Sequence, residues 1–123
     1  MRAVALNAAG ENSRALVLDT AVGRLTGTWM GDRPIRAGES LDVELEFPQS
    51  RRWDELTGRG EVDERGGPRL PALVERAFDD GVLVVRMGET TAQLEIQGAV
   101  PPDAVGTAVG IPTSDLEFFP TGV

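Results

Sequence analysis

The stretch Leu41-Asp42-Val43-Glu44-Leu45-Glu46-Phe47 alternates apolar and acidic residues without a fault. A period of two is the mark of a strand with one buried and one solvated face. Leu41, Val43, Leu45 and Phe47 belong to the core side. Asp42, Glu44 and Glu46 form a row of carboxylates on the other. Upstream, Leu25–Met30 reads as a second strand, with Leu25, Gly27 and Trp29 sharing a face, and a connector bearing Gly31, Pro34 and Gly38 joins the two. Gly27 inside a strand suggests a bend or bulge of the kind small barrels use at their corners.

On the N-terminal side, Arg2–Leu6 is a short strand with Val4 and Leu6 on one face. Asn7–Asn12 is a turn, and Arg14–Asp19 is a further strand. On the C-terminal side, Pro48 ends the acidic strand. Ser50–Gly58 then suits one or two helical turns, with Ser50 as N-cap, Trp53 and Leu56 facing inward and Gly58 as the stop. Arg59–Pro68 is rich in Gly, Pro and charge and reads as a mobile loop.

Beyond it, Val82–Met87 and Thr90–Gln97 flank Gly88-Glu89, a two-residue hairpin turn of type II′. That turn sets Leu83 opposite Leu94, Val85 opposite Ala92 and Met87 opposite Thr90, all on one face. Turn chemistry and hydrophobic pattern therefore agree. The preceding strand, Ala72–Phe78, has two registers. A two-residue Asp80-Gly81 turn, the preferred one, puts Glu75 opposite Arg86 but sends Arg76 inward. A three-residue loop sends Glu75 inward instead. Val105–Ile111 and Asp115–Phe119 complete the set. The expectation is one all-β domain over residues 1–123: a small antiparallel barrel or a sandwich of eight or nine short strands with at most one short helix.

Composition narrows the chemistry. The chain of 123 residues carries a net charge of −8 and has no cysteine, histidine or tyrosine; all twelve of its cationic side chains are arginine. Thiolate chemistry, histidine acid–base catalysis, lysine Schiff bases and Cys/His metal sites are thereby excluded. No Ser sits in a Gly-x-Ser-x-Gly elbow, and no glycine run has phosphate-loop or dinucleotide spacing. The paired acids Asp63-Glu64 and Asp79-Asp80, and Asp115 with Glu117, lack any calcium-loop pattern. The expectation is therefore a protein that is not an enzyme and needs no cofactor or metal. An acidic surface repels nucleic-acid phosphates and suits a basic partner. No segment has the length of a membrane span or the form of a signal peptide, so the expected setting is cytoplasmic with no membrane partner. Arginine to the exclusion of lysine, with abundant Ala, Gly and Val, has the look of a GC-rich bacterial coding sequence.

Two candidate sites follow. Carboxylates at i, i+2 and i+4 on a strand are spaced by roughly 6.6 Å per step, too far to share a proton but well placed to meet a row of cations. Asp42, Glu44 and Glu46 are thus the candidate partner-binding residues; the plain alternative is a solvated face paired with arginines such as Arg24 or Arg36. The second candidate is a small-anion or metabolite site at a barrel mouth, with Arg51, Arg52 and Arg69 as anion contacts and Trp53 beside them.

The run Leu94-Glu-Ile-Gln-Gly-Ala-Val-Pro-Pro-Asp-Ala-Val-Gly-Thr-Ala-Val-Gly-Ile-Pro-Thr-Ser-Asp-Leu-Glu-Phe-Phe-Pro120 resembles the closing strands of the OB-like, TOBE-type accessory domains of transporter ATPases. There too a Gly-x-x-Val strand leads into Pro-x-x-Asp-Leu and a terminal aromatic. The resemblance implies an OB-like barrel and no ligand residues, because the oxyanion-binding motif of the molybdate-type members has no counterpart here. In general character the chain is also similar to small acidic immunity proteins, which neutralise a basic toxin with a carboxylate surface. That likeness implies a basic protein partner.

Overall fold

The computed structural model describes residues 1–56 and 68–121. Within them lie strands β1 (Arg2–Ala5), β2 (Ala15–Thr20), β3 (Gly23–Trp29), β4 (Ser40–Glu46) and β5 (Arg51–Arg52), and helix α1 (Trp53–Leu56). They are followed by β6 (Arg69–Ala77), β7 (Val82–Met87), β8 (Thr90–Gln97), β9 (Ala108–Pro112) and β10 (Glu117–Pro120). The protein is all-β. Among the described residues no helix is long and apolar enough to cross a membrane.

The first four strands and the last one make a closed barrel in the order β1-β2-β3-β10-β4, with β4 paired back onto β1. Every pairing in it is antiparallel except β3 with β10. The intervening strands make a second, curled sheet in the order β5-β8-β7-β6-β9. The second sheet is thus inserted between the fourth and fifth strands of the barrel. The run 94–120 is divided by this arrangement: β8 and β9 belong to the second sheet, and only β10 belongs to the barrel.

The acidic strand behaves as its pattern requires. In β4, Leu41, Val43 and Leu45 are buried and Asp42, Glu44 and Glu46 exposed. β2 and β3 pair in unbroken register from Ala15↔Thr28 to Thr20↔Gly23. No bulge occurs at Gly27, so its reason is different. A Cβ there would lie 2.6 Å from the Leu116 carbonyl oxygen and 2.9 Å from the Phe118 ring. Glycine is what lets the chain entering β10 press against β3. In β1 the inward residues are Ala3 and Ala5, while Val4 and Leu6 are exposed. Ala3 stands opposite Leu41 and Ala5 opposite Leu18, so leucines from both neighbours already fill the space that a larger side chain would need.

The β7–β8 hairpin has the register expected of it, with Met87↔Thr90 at the turn and Leu83↔Leu94 on the buried face. Gly88 has φ +61° and Glu89 does not have a positive φ, as a type II′ turn requires. The β6–β7 pairing starts in the three-residue register, with Ala77↔Leu83 and Arg76↔Val84, rather than in the preferred two-residue one, and leaves it at Glu75. The loop takes three residues, closed by a bond from Phe78 N–H to the Val82 carbonyl, and the register slips between Val74 and Arg76. This bulge at Glu75 resolves a conflict that neither simple register avoids. Val74 and Leu83 stay buried while Arg76 is exposed rather than inward. Glu75 still meets Arg86, through a 2.8 Å ion pair of side chains.

The helix is a single turn. Ser50 is not its cap; the Glu55 carboxylate accepts from Arg52 N–H at 3.1 Å, and Arg51–Arg52 is a strand, parallel to β8 at Ile96 and Gln97. Leu56 is fully buried and Trp53 half-buried against the core. The helix stop at Gly58 and the charged loop up to residue 67 lie outside the described residues. Pro68, at its end, accepts from both the N–H and the hydroxyl of Thr113. One continuous cluster of buried residues runs from Leu16, Trp29 and Phe118 in the barrel to Leu70, Val74 and Leu94 in the second sheet.

Candidate functional site

Where the two sheets meet, they leave a cleft. β4 approaches β8, and around this junction opens a cavity of about 1230 Å³. One wall is the outer side of β4, with Glu44 and Glu46, continuing into Phe47 and Pro48. The facing wall is β8, with Thr91, Gln93 and Glu95, and Val82 behind it. Phe119 and Pro120 of β10 and the segment Met30–Arg33 close the ends.

The Met30–Arg33 end is firmly built. The Trp29 indole N–H donates to the Arg33 carbonyl at 2.7 Å. The Arg14 guanidinium donates to the carbonyls of Trp29 and Gly31. Gly31 lies against the Trp29 ring so closely that a Cβ would collide with it. Trp29 therefore serves as core and as the anchor of the cleft wall at once.

The electrostatics are one-sided. Asp32, Glu44, Glu46 and Glu95 line the cleft, and among the described residues Arg33 is its only cationic lining residue. Arg33 is already committed to Glu39. Hydrogen bonding from the Arg33 guanidinium, then from the Arg36 backbone N–H, holds the Glu39 carboxyl below the ordinary glutamate value. Among the described residues, Asp32, Glu44, Glu46 and Glu95 have no ion-pair partner. On the adjoining strand Glu117 stands directly opposite Glu46, adding a like charge.

Of the acidic row, Asp42 is set apart. It pairs with Arg2 across β1–β4 at 3.2 Å, and it lies outside the cleft. The cross-strand arginine is thus Arg2, not Arg24 or Arg36: Arg24 stands opposite Asp19, and Arg36 turns its backbone to Glu39. Glu95 is the residue that pattern reading leaves out. Its outward position on β8 is legible from alternation, but its meeting with Glu44 and Glu46 depends on how two sheets dock.

The arginine set is spread along the clasp between the sheets. Arg51 bonds Asp115 at 2.8 Å, with the two side chains 13% and 8% exposed, and it also reaches Glu55. Asp115 accepts in addition from Gln49 N–H. Arg52 pairs with Asp54 and Glu55. Arg69 donates to the carbonyls of Glu55 and Gly110, while its buried Nε has no hydrogen-bond partner among the described residues. With Trp53 packed on the core, these four residues hold the β4–β5 link, α1 and the β9–β10 corner together. Asp80 is occupied as well, accepting from Val82 N–H in the turn. Among the described residues no three acidic side chains converge closely enough to hold a metal ion; Asp63 and Glu64 lie outside those residues.

The chain matches no protein-family model, no curated protein and no solved structure.

Proposed function

We propose that this is a non-enzymatic binding protein that takes a cationic segment of a protein partner into the acidic cleft between its two sheets. The observation that carries this is the gathering of Glu44, Glu46, Glu95 and Asp32 around one cavity whose single cation among the described residues, Arg33, is engaged by Glu39. Like charges left unpaired on facing walls repel one another in the free protein, and a cationic partner relieves that repulsion. A cavity of about 1230 Å³ is also larger than the roughly 300–1,000 Å³ usual for small-molecule pockets. In its most specific form the partner is a basic toxin and this chain its immunity-type inhibitor. A cysteine-free chain with this charge fits a cytoplasmic setting. The strand order supports an OB-like reading of the barrel: five strands in a 1-2-3-5-4 arrangement, counted within the barrel, with the third and fifth parallel. The small-anion alternative is less favoured, because Arg51, Arg52 and Arg69 already have partners in the chain.

The test is capture of basic proteins from bacterial lysate by the wild type and by an E44R/E46R variant, at low and at moderate salt. The reading expects specific partners to be retained by the wild type, released by salt and lost with the variant. The same proteins retained on both would sink it. A D42R variant is the control, since Asp42 lies outside the cleft.

A further inference from the structure

The cleft contains a strand edge that no described residue pairs with. β8 is bonded along one side to β7 from Thr90 to Glu95. On its other side, among the described residues, it pairs only with β5, at Ile96 and Gln97. The direction of the free groups follows from the ladder. Ile96 N–H donates to the Gly81 carbonyl on the β7 side. Antiparallel bonding alternates, so Leu94, Ala92 and Thr90 also turn their N–H and C=O toward β7. Thr91 and Gln93 turn theirs the other way, toward the open edge. Among the described residues no group bonds the backbone of either on that side.

Open edges are usually blunted by charge, proline or a covering element. Here Thr91–Glu95 carries no proline and no lysine or arginine. Among the described residues no strand is paired with it; it faces into the cavity, beside Glu44 and Glu46. Those two carboxylates recur at the two-residue period of an extended chain. We infer that the partner's cationic segment binds as an added strand on the β8 edge, pairing its backbone with Thr91 and Gln93 and setting alternate basic side chains against Glu44, Glu46 and Glu95. This rests on the reading of the cleft as a site for a cationic protein and specifies how that segment is held. Backbone pairing supplies affinity for any extended chain, and the acidic walls select the basic ones. Thr91–Glu95 spans about 13 Å, so the bound segment is on the order of five residues long.

The probe is the acetylated, amidated hexapeptide Lys-Val-Lys-Val-Lys-Val, compared with two isomers N-methylated either at every Lys or at every Val. An added strand bonds through one of its edges only. One isomer is therefore expected to bind at least tenfold more weakly than the parent, and the other within about threefold of it. Binding of the parent should slow amide exchange at Thr91 and Gln93 and leave Ala92 and Leu94 unchanged. Gln93→Pro removes an N–H that β7 does not use, and it should weaken the parent peptide by a similar factor. If that variant fails to fold, the methylated isomers decide alone. An E44Q/E46Q/E95Q variant should weaken all peptides and flatten their salt dependence. If the charge variant loses the peptides while both methylated isomers bind like the parent, strand addition is overturned and the cationic reading stands. If the parent peptide binds the charge variant as well as the wild type, or binds neither, both fall.

Discussion

Glu46 on β4 and Glu117 on β10 are directly paired residues of adjacent antiparallel strands, a like-charge pair at the seam where the barrel closes. Opposed like charges on a sheet are destabilising by a few tenths of a kcal/mol, up to about 1. Replacing Glu117 by Gln should therefore raise the melting temperature by about 1–3 °C at low salt, with the gain shrinking as salt screens the pair. A fall in melting temperature at low salt would mean that Glu117 has a favourable role the pairing does not reveal.

The clasp between the sheets behaves differently from the surface pairs. Removing Asp115 takes from Arg51, whose side chain is only 13% exposed, its closer partner and leaves it the 3.5 Å contact with Glu55. Asp115→Ala should cost about 3 kcal/mol in denaturant unfolding, whereas replacing both partners by apolar residues of similar size should cost less than the single change. Arg2→Ala breaks a pair that is 77% and 48% exposed and should cost less than about 1 kcal/mol. Equal losses at the two sites would contradict the clasp.

Gly27→Ala should destabilise by about 1–3 kcal/mol, because the new methyl would meet the Leu116 carbonyl and the Phe118 ring rather than open space. Gly23→Ala is the informative comparison, since a Cβ there meets nothing within 4 Å and only the φ of +111° opposes it. The two variants should differ in cause: near-ultraviolet dichroism, which reports aromatic packing, should change for Gly27 and stay unchanged for Gly23.

The Glu39 carboxyl is held below its ordinary value of 4.5 by Arg33 and by the Arg36 N–H. A depressed carboxyl contributes stability above its unfolded-state value and loses it as pH falls through the folded one. The stability difference between wild type and Glu39→Gln should thus be flat from pH 6 to 8 and close as the pH drops below about 4.5. A gap that widens in acid would reverse the sign and remove the Arg33 pairing as its cause.

Local pattern carried a great deal of this fold. The period-two alternation of Leu41–Phe47 fixes which face of β4 is buried, and Gly88-Glu89 fixes the β7–β8 register, because each is decided within a dozen residues. The β6–β7 bulge was not legible, since alternation offers two registers and the bulge is a third answer that avoids both of their faults. Nor were the parallel pairings legible. Joining β3 to β10, or β5 to β8, depends on the packing of the whole chain and leaves no mark at either strand. The candidate site divides in the same way. Glu44 and Glu46 are legible because their strand is regular. Glu95 is not, because only the docking of two sheets brings it across from them. Arg51, Arg52 and Arg69 look in sequence like a cluster of free cations, and it is the distant Asp115 and the carbonyls of Glu55 and Gly110 that engage them.

The placement of the second sheet has a kinetic consequence. β4 ends at Glu46 and its barrel neighbour β10 begins at Glu117, so residues 47–116 must find their own arrangement before the barrel can shut. Until then β1–β4 form an open sheet whose β3 and β4 edges are both exposed. Closing so long an excursion costs chain entropy before any contact repays it, which places the final step among slow, non-local events. During synthesis the ribosome delivers β10 only after the whole of the second sheet, and the half-made barrel must wait several seconds for it at about 5–20 residues per second. The gap between β3 and β4 is, for that interval, a vacancy for a strand.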